Sequence, residues 1–331
     1  MRRPRLERLE DRRCLTMLGF ADLPIDLPIG DGLAADFNGD GRDDFAFSTS
    51  PGVAIRWAET DQVGLSDEQI IGDYGDLIGV HDIDADGDVD LIAASSSSMV
   101  WLENDRAANR FVIHEVPGAP TMAHSSSELF RAADVDGDGK LDFVYLANSQ
   151  QLVTVSNVAE PTIIIASVPM LPADVTLQLG DINSDGDLDA LIQEDRFSGA
   201  QYWYEWNGAS FVEGMRPAGL PADGRHFEML DWDNDQQLDL FRQHTSSVQR
   251  YEFNVVSQQF VAAESIFFGI FYDLSKLTFG DHDGDGHPDL FVAERLQDAL
   301  SFHVVAQSSL GTMEQPKYLS TQGASLVGNW Q

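Results

Sequence analysis

A nine-residue string, Asp-x-(Asp/Asn)-x-Asp-x-x-x-Asp, recurs six times along the chain and constrains its fold more than any other feature. The copies run 36–44, 82–90, 134–142, 181–189, 231–239 and 281–289. Their first positions lie 46, 52, 47, 50 and 50 residues apart, a mean of 49. A fixed period of this length marks an array of equal units, each burying its apolar faces against its neighbours, and it is the period expected of propeller blades.

The flanks support strands rather than helices. Short apolar runs follow each ninth-position aspartate: Phe45–Phe47, Leu91–Ala94, Phe143–Leu146, Leu191–Ile192, Leu240–Phe241 and Leu290–Ala293. Runs this short, bounded by Gly, Asp and Ser, read as buried strands. An EF-hand needs Glu at loop position 12, where this chain has Phe47, Ala93, Tyr145, Ile192, Arg242 and Val292. Dockerin-type modules also fail, because they pair two loops with helices. The second unit predicts a complete blade: strand A over Leu77–Val80, B over Leu91–Ala94, C over Met99–Leu102 and D over Phe111–Val116, with Asn104-Asp105 opening the C–D turn. Four strands in about 49 residues make a propeller blade. The C strands elsewhere contain Ala54–Trp57, Leu152–Val155, Tyr202–Tyr204, Tyr251–Phe253 and Phe302–Val305. The tryptophans on them, Trp57, Trp101 and Trp203, with Trp206, are expected in the core between blades rather than on a sugar platform.

Carboxylates at positions 1, 3, 5 and 9 of a tight loop converge on a point, and position 7 adds a main-chain carbonyl. Five or more hard oxygens suit Ca²⁺, whereas Mg²⁺ demands a stricter cage. The expected ligands are Asp36, Asn38, Asp40 and Asp44; Asp82, Asp84, Asp86 and Asp90; Asp134, Asp136, Asp138 and Asp142; Asp181, Asn183, Asp185 and Asp189; Asp231, Asp233, Asp235 and Asp239; and Asp281, Asp283, Asp285 and Asp289. The carbonyls come from Arg42, Asp88, Lys140, Asp187, Gln237 and His287, for up to six ions. Gly at position 6 permits φ > 0. The fifth loop has Gln236 there, which predicts the weakest site.

These loops, with strand C of the form Trp101-Leu-Glu-Asn104, echoed at Trp203-Tyr-Glu205 and Tyr251-Glu-Phe-Asn254, resemble the FG-GAP/VCBS-repeat proteins, whose fold is that of the integrin α N-terminal propeller. The resemblance covers residues 19–331. It implies an all-β propeller whose loops bind calcium on one face, in a family of mostly exported adhesion, recognition or accessory modules. Ser325–Gln331 aligns as a further strand A, and Phe20–Leu27 as a strand D. The expected architecture is therefore six motif-bearing blades plus an incomplete seventh, with a closed six-bladed ring as the alternative. Residues 1–18 form a separate basic segment. Its Leu-Glu-Arg-Leu-Glu-Asp-Arg core resembles the opening of many exported planctomycete proteins, which implies an extracellular or cell-surface location.

Net charge is −35, and residues 14–331 alone carry 14 basic against 52 acidic groups. Such a body repels nucleic-acid backbones and anionic membrane surfaces, and no apolar run is long enough to cross a bilayer. Cys14 is the single cysteine, so cystines and CxxC zinc sites are excluded. No catalytic motif is present, and His81, His282 and His287 fall in or beside the aspartate loops. The expectation is a monomeric, non-enzymatic binder of a protein or glycan, with a propeller-type polysaccharide lyase or hydrolase, or a calcium-dependent surface-layer component, as alternatives.

Overall fold

The computed structural model describes residues 32–319 apart from 50–51, 59–65, 96–97, 121, 123–128, 149, 159–160, 172–174, 195–199, 217, 221–226, 236, 245–246, 268–273, 281–286, 297–298, 306–312 and 314–316. Over this span the chain forms six four-stranded antiparallel sheets, each a meander of four consecutive strands. The first holds β1 (Gly32–Ala35), β2 (Asp44–Thr49), β3 (Gly52–Arg56) and β4 (Gln69–Gly72). The second holds β5 (Asp76–His81), β6 (Asp90–Ala94), β7 (Met99–Asp105) and β8 (Arg110–Glu115). Next come β9 (Phe130–Ala133), β10 (Asp142–Ala147), β11 (Gln151–Ser156) and β12 (Thr162–Ser167). The fourth is β13 (Val175–Gly180), β14 (Asp189–Glu194), β15 (Gln201–Trp206) and β16 (Phe211–Glu213). The fifth is β17 (Phe227–Leu230), β18 (Asp239–Gln243), β19 (Ser247–Asn254) and β20 (Gln259–Phe267). The sixth is β21 (Leu274–Gly280), β22 (Asp289–Leu296), β23 (Ala299–Val305) and β24 (Lys317–Leu319).

The sheets are the blades of a β-propeller, and β1, β5, β9 and β13 touch in succession. Burial explains the sequence pattern. The second strands β6 and β10 are buried at every position, so they read as continuous apolar runs. The fourth strands β8 and β12 mix exposed residues with half-buried and buried ones, as outer strands open to solvent do. Every second strand starts at a ninth-position aspartate. Segments 20–27 and 325–331, read as parts of a seventh blade, lie outside the described residues.

The core lies between blades. Trp101, Trp203 and Trp206 are buried, while Trp57 is half-buried and donates its indole N–H to Gln69 Oε1 at 2.9 Å. The ring of Trp101 stacks on His114, its cross-strand partner, at 4.2 Å. Trp232 and Phe241 of blade five meet Phe279 of blade six, the two phenyl rings 4.8 Å apart. Gly180 ends β13 where a Cβ would sit 2.3 Å from Leu238 Cδ1, which explains the small residue there.

The sequence reading placed Asn104-Asp105 in the turn after strand C, but β7 continues through both, pairing Asn104 with Phe111 and Asp105 with Arg110. The reversal falls instead on a 3-10 turn, Arg106–Ala108. It is capped by Asp105 Oδ1, which accepts the Ala108 N–H at 3.0 Å, and closed by Asn109 at φ 51°.

Candidate functional site

Each aspartate string is the connection from the first to the second strand of its blade. In the first four loops position 6 is a glycine at positive φ: Gly41 at 84°, Gly87 at 94°, Gly139 at 88° and Gly186 at 97°. Position 4 is positive as well, in Gly39, Ala85, Gly137, Ser184 and Asn234. This second left-handed residue was not anticipated from the sequence; its signal was three glycines, an Asn and two small residues at one offset of the six strings. The position-6 residue of the fifth loop, Gln236, lies outside the described residues. So do Asp281, Asp283 and Asp285, with His282, in the sixth loop. His287 is half-buried there, and Asp289 is buried at the start of β22.

The loops are tied by their own amides. The position-1 carboxylate accepts the position-6 N–H in four loops: Gly41 to Asp36 Oδ2 at 2.8 Å, Gly87 to Asp82 Oδ2 at 3.1 Å, Gly139 to Asp134 Oδ2 at 2.9 Å and Gly186 to Asp181 Oδ2 at 2.9 Å. Position 5 accepts from position 7, at 2.8 to 3.0 Å, in five: Arg42 to Asp40, Asp88 to Asp86, Lys140 to Asp138, Asp187 to Asp185 and Gln237 to Asp235. Asn38 and Asn183 accept the position-5 N–H as Asp84 and Asp136 do.

The ninth aspartate does a different job. Its Oδ2 accepts the position-2 N–H in every described loop: Phe37 to Asp44, Ile83 to Asp90, Val135 to Asp142, Ile182 to Asp189 and Trp232 to Asp239. In the first three its Oδ1 also accepts an amide from the end of the third strand or just beyond it, those of Ala58, Asn104 and Asn157. Phe37, Val135, Ile182 and Trp232 are themselves buried, so position 2 plugs the loop into the core. Sequence reasoning passed over position 2, although an apolar residue one place after the first aspartate in five of the six loops was in view.

Burial dominates the electrostatics. It pushes the carboxyls of Asp44 and Asp142 up to about 6, and those of Asp90, Asp189 and Asp239 up to about 7, against the amide hydrogen bonds that pull them down. Burial, then the neighbouring Asp86, raises Asp84; burial, then Asp185, raises Asp181. Among the described residues, three groups bring oxygens within 4.8 Å of one another and could hold a cation: Asp82, Asp84 and Asp86; Asp134, Asp136 and Asp142; and Asp231, Asp233 and Asp235. Asp134 Oδ1, in the second of these groups, is buried without a hydrogen-bond partner, as an oxygen that faces a cation rather than a donor would be. The donor set is hard oxygen throughout, so the residues fit a hard divalent ion.

Three side chains outside the strings complete the site. Asn104 Nδ2 donates to Phe37 O at 2.8 Å and Val89 O at 3.2 Å, tying blade two to the first loop. Arg106 pairs with Asp88 at 2.7 Å and donates to Phe37 O at 3.4 Å. In blade five Arg250 enters the loop, its Nη1 3.3 Å from Asp239 Oδ2 and 3.4 Å from Asp233 Oδ2.

The model of the FG-GAP-like repeat matches residues 82–145, 181–242 and 231–292, which together span more than half of the chain. No curated protein matches the chain in sequence. Among solved structures, the chain is similar to an Agrocybe aegerita lectin described by its specific recognition of non-reducing terminal N-acetylglucosamine, with a TM-score of 0.64, 16% identity, and coverage of 87% of this chain and 80% of the lectin. It is similar to BBS1N in complex with ARL6DN at a TM-score of 0.54 and 12% identity, over 89% of this chain and 84% of that one. It also resembles part of the Photorhabdus luminescens Tc holotoxin pore, with a TM-score of 0.53 and 16% identity, covering 83% of this chain but 14% of that one. At these identities the likeness is one of fold.

Proposed function

Because this chain belongs to the family of FG-GAP-like repeat proteins, we propose that it is a calcium-stabilised recognition module that works outside the cell and binds a glycan or protein without turning it over. The observation that carries the proposal is the set of like-built aspartate loops, each leading into the second strand of its blade. Asp82, Asp84, Asp86 and Asp90, with their counterparts in the other loops, would hold the ion. Bound Ca²⁺ supplies charge neutralisation. The chain's own residues set the loop shape through amide-to-carboxylate bonds and, through the ninth aspartate, fix the loop to the start of the second strand. An extracellular setting is supported by the ion, since modules that work there bind it at about 10⁻⁴–10⁻³ M. The likeness to a lectin favours a glycan as the ligand to test first.

The test is a glycan array probed with calcium-loaded protein beside a chelated control, including glycans that end in non-reducing N-acetylglucosamine. Calcium-dependent binding with no change to the bound glycan is the expected result. A melting curve unmoved by thorough chelation removes the calcium part of the reading. Cleavage of a bound polysaccharide removes the non-enzymatic part.

A further inference from the structure

Blade five departs from the others at one register position. The third-strand residue that pairs with the second residue after the ninth aspartate is Ile55 opposite Ala46, Trp101 opposite Ile92, Thr154 opposite Val144, Trp203 opposite Leu191 and Val304 opposite Phe291. None of these carries a charge. In blade five it is Arg250, opposite Phe241. Its side chain is 4% exposed, and its guanidinium bonds carboxylates from positions 3 and 9 of the loop, Asp233 and Asp239, with a third partner in Glu252. Gln237 adds to this by donating its side-chain amide to Asp235 Oδ2 at 2.7 Å, while its main-chain N–H takes Oδ1.

We infer that the fifth loop is tied by its own arginine, one positive charge set against Asp233 and Asp239, and holds its shape without a calcium ion, so the array contains one blade that does not answer to calcium. The inference rests on the calcium reading above. Asp231, Asp233 and Asp235 converge as closely as the carboxylates of other loops, and spacing alone would make them a site. The donors around them argue the other way. Calcium needs several oxygens at 2.3–2.6 Å, and here the position-3, position-5 and position-9 carboxylates already accept from fixed donors. Arginine cannot make room by losing its proton. Expelling it would leave a buried guanidinium without counter-charge. The sixth loop supplies no such cation at this register, since Val304 stands there.

The experiment counts calcium per molecule of the full chain by equilibrium dialysis and elemental analysis. Asp84→Ala, in the second loop, removes a ligand oxygen outright, is expected to lower the count by one and calibrates the measurement. Asp233→Ala is expected to leave the count unchanged; a loss of one overturns the inference while the calcium reading stands. Arg250→Met is expected to raise the count by one and to lower the melting temperature in chelator, with calcium restoring it. A folded Arg250→Met protein whose count does not rise overturns the role given to the guanidinium. If Arg250→Met does not fold, Asp233→Ala decides alone. A wild-type count of zero defeats the calcium reading itself, which separates that failure from this one.

Discussion

Replacing Asn104 with alanine should loosen the seam between the first two blades. The side chain is buried, and its Nδ2 donates to two carbonyls, Phe37 O at 2.8 Å in the first loop and Val89 O at 3.2 Å in the second. Each such bond contributes about 0.5–1.5 kcal/mol net, and a buried carbonyl left without a donor costs about 1–3 kcal/mol. Phe37 is 1% exposed, so water cannot readily take the place of the amide. The expected loss is about 2–3 kcal/mol. For a chain of this size each kcal/mol moves the melting temperature by about 2 °C, so scanning calorimetry should show a fall of about 4–6 °C. Asn104→Asp should fall further, because a carboxylate cannot donate and would face both carbonyls. The backbone N–H of residue 104 still reaches Asp90 Oδ1 at 2.8 Å in either variant, so the second loop keeps that tie. Adding Arg106→Ala should be non-additive by 0.5 kcal/mol or more, since Arg106 shares the Phe37 carbonyl at 3.4 Å. A fall below 1 °C for Asn104→Ala, or a milder effect from Asn104→Asp than from Asn104→Ala, refutes the argument.

Gly87→Ala should lower stability by about 1–2 kcal/mol, read as a shift in urea midpoint, because φ is 94° while nothing lies within 4 Å of the added methyl. Gly87→Asn should cost less, and equal costs would point to a steric cause. In chelator the protein should gain stability as pH falls from about 7 towards 4. The native state holds protons at Asp90, Asp189 and Asp239 from about 7, and at Asp44 and Asp142 from about 6, whereas the unfolded chain binds them only near 3.8. The native excess of bound protons therefore makes stability decline as pH rises through that window. Calcium, which needs ionised carboxylates, should oppose the trend. Asp90→Asn should flatten the chelated slope in melting curves taken at pH 5, 6 and 7.5; an unaltered slope would rule out burial of that carboxyl as a cause.

The blades were legible because two periodicities coincide, the 49-residue repeat of aspartates and the short apolar run behind each one. Strand edges followed for the same reason: β6, read as Leu91–Ala94, begins one residue earlier at Asp90. What escaped were side-chain contacts that reach a loop from outside its nine-residue string. Asn104 reads as a turn former, whereas its backbone pairs with Phe111 in the ladder and its side chain donates to Phe37 O, 67 residues away. Arg250 reads as a polar residue on an alternating strand, and its burial against Asp239 depends on how the third strand of that blade folds over the loop. The sequence expects the weakest site in the fifth loop from Gln236, which lies outside the described residues; the contacts of Arg250 with Asp233 and Asp239 are the separate ground for the inference drawn above.

Hydrogen bonds from the amides of positions 6 and 7 to the carboxylates of positions 1 and 5 fix the shape of the loops from within. A loop tied by its own backbone would take an ion with little reorganisation of the chain. On the calcium reading proposed above, the ion would act as a rivet and not as a lever: the far-ultraviolet circular dichroism spectrum should look alike with and without it, while resistance to heat and proteolysis changes. A molecule built in this way would report the calcium level of its surroundings through its lifetime, not its shape.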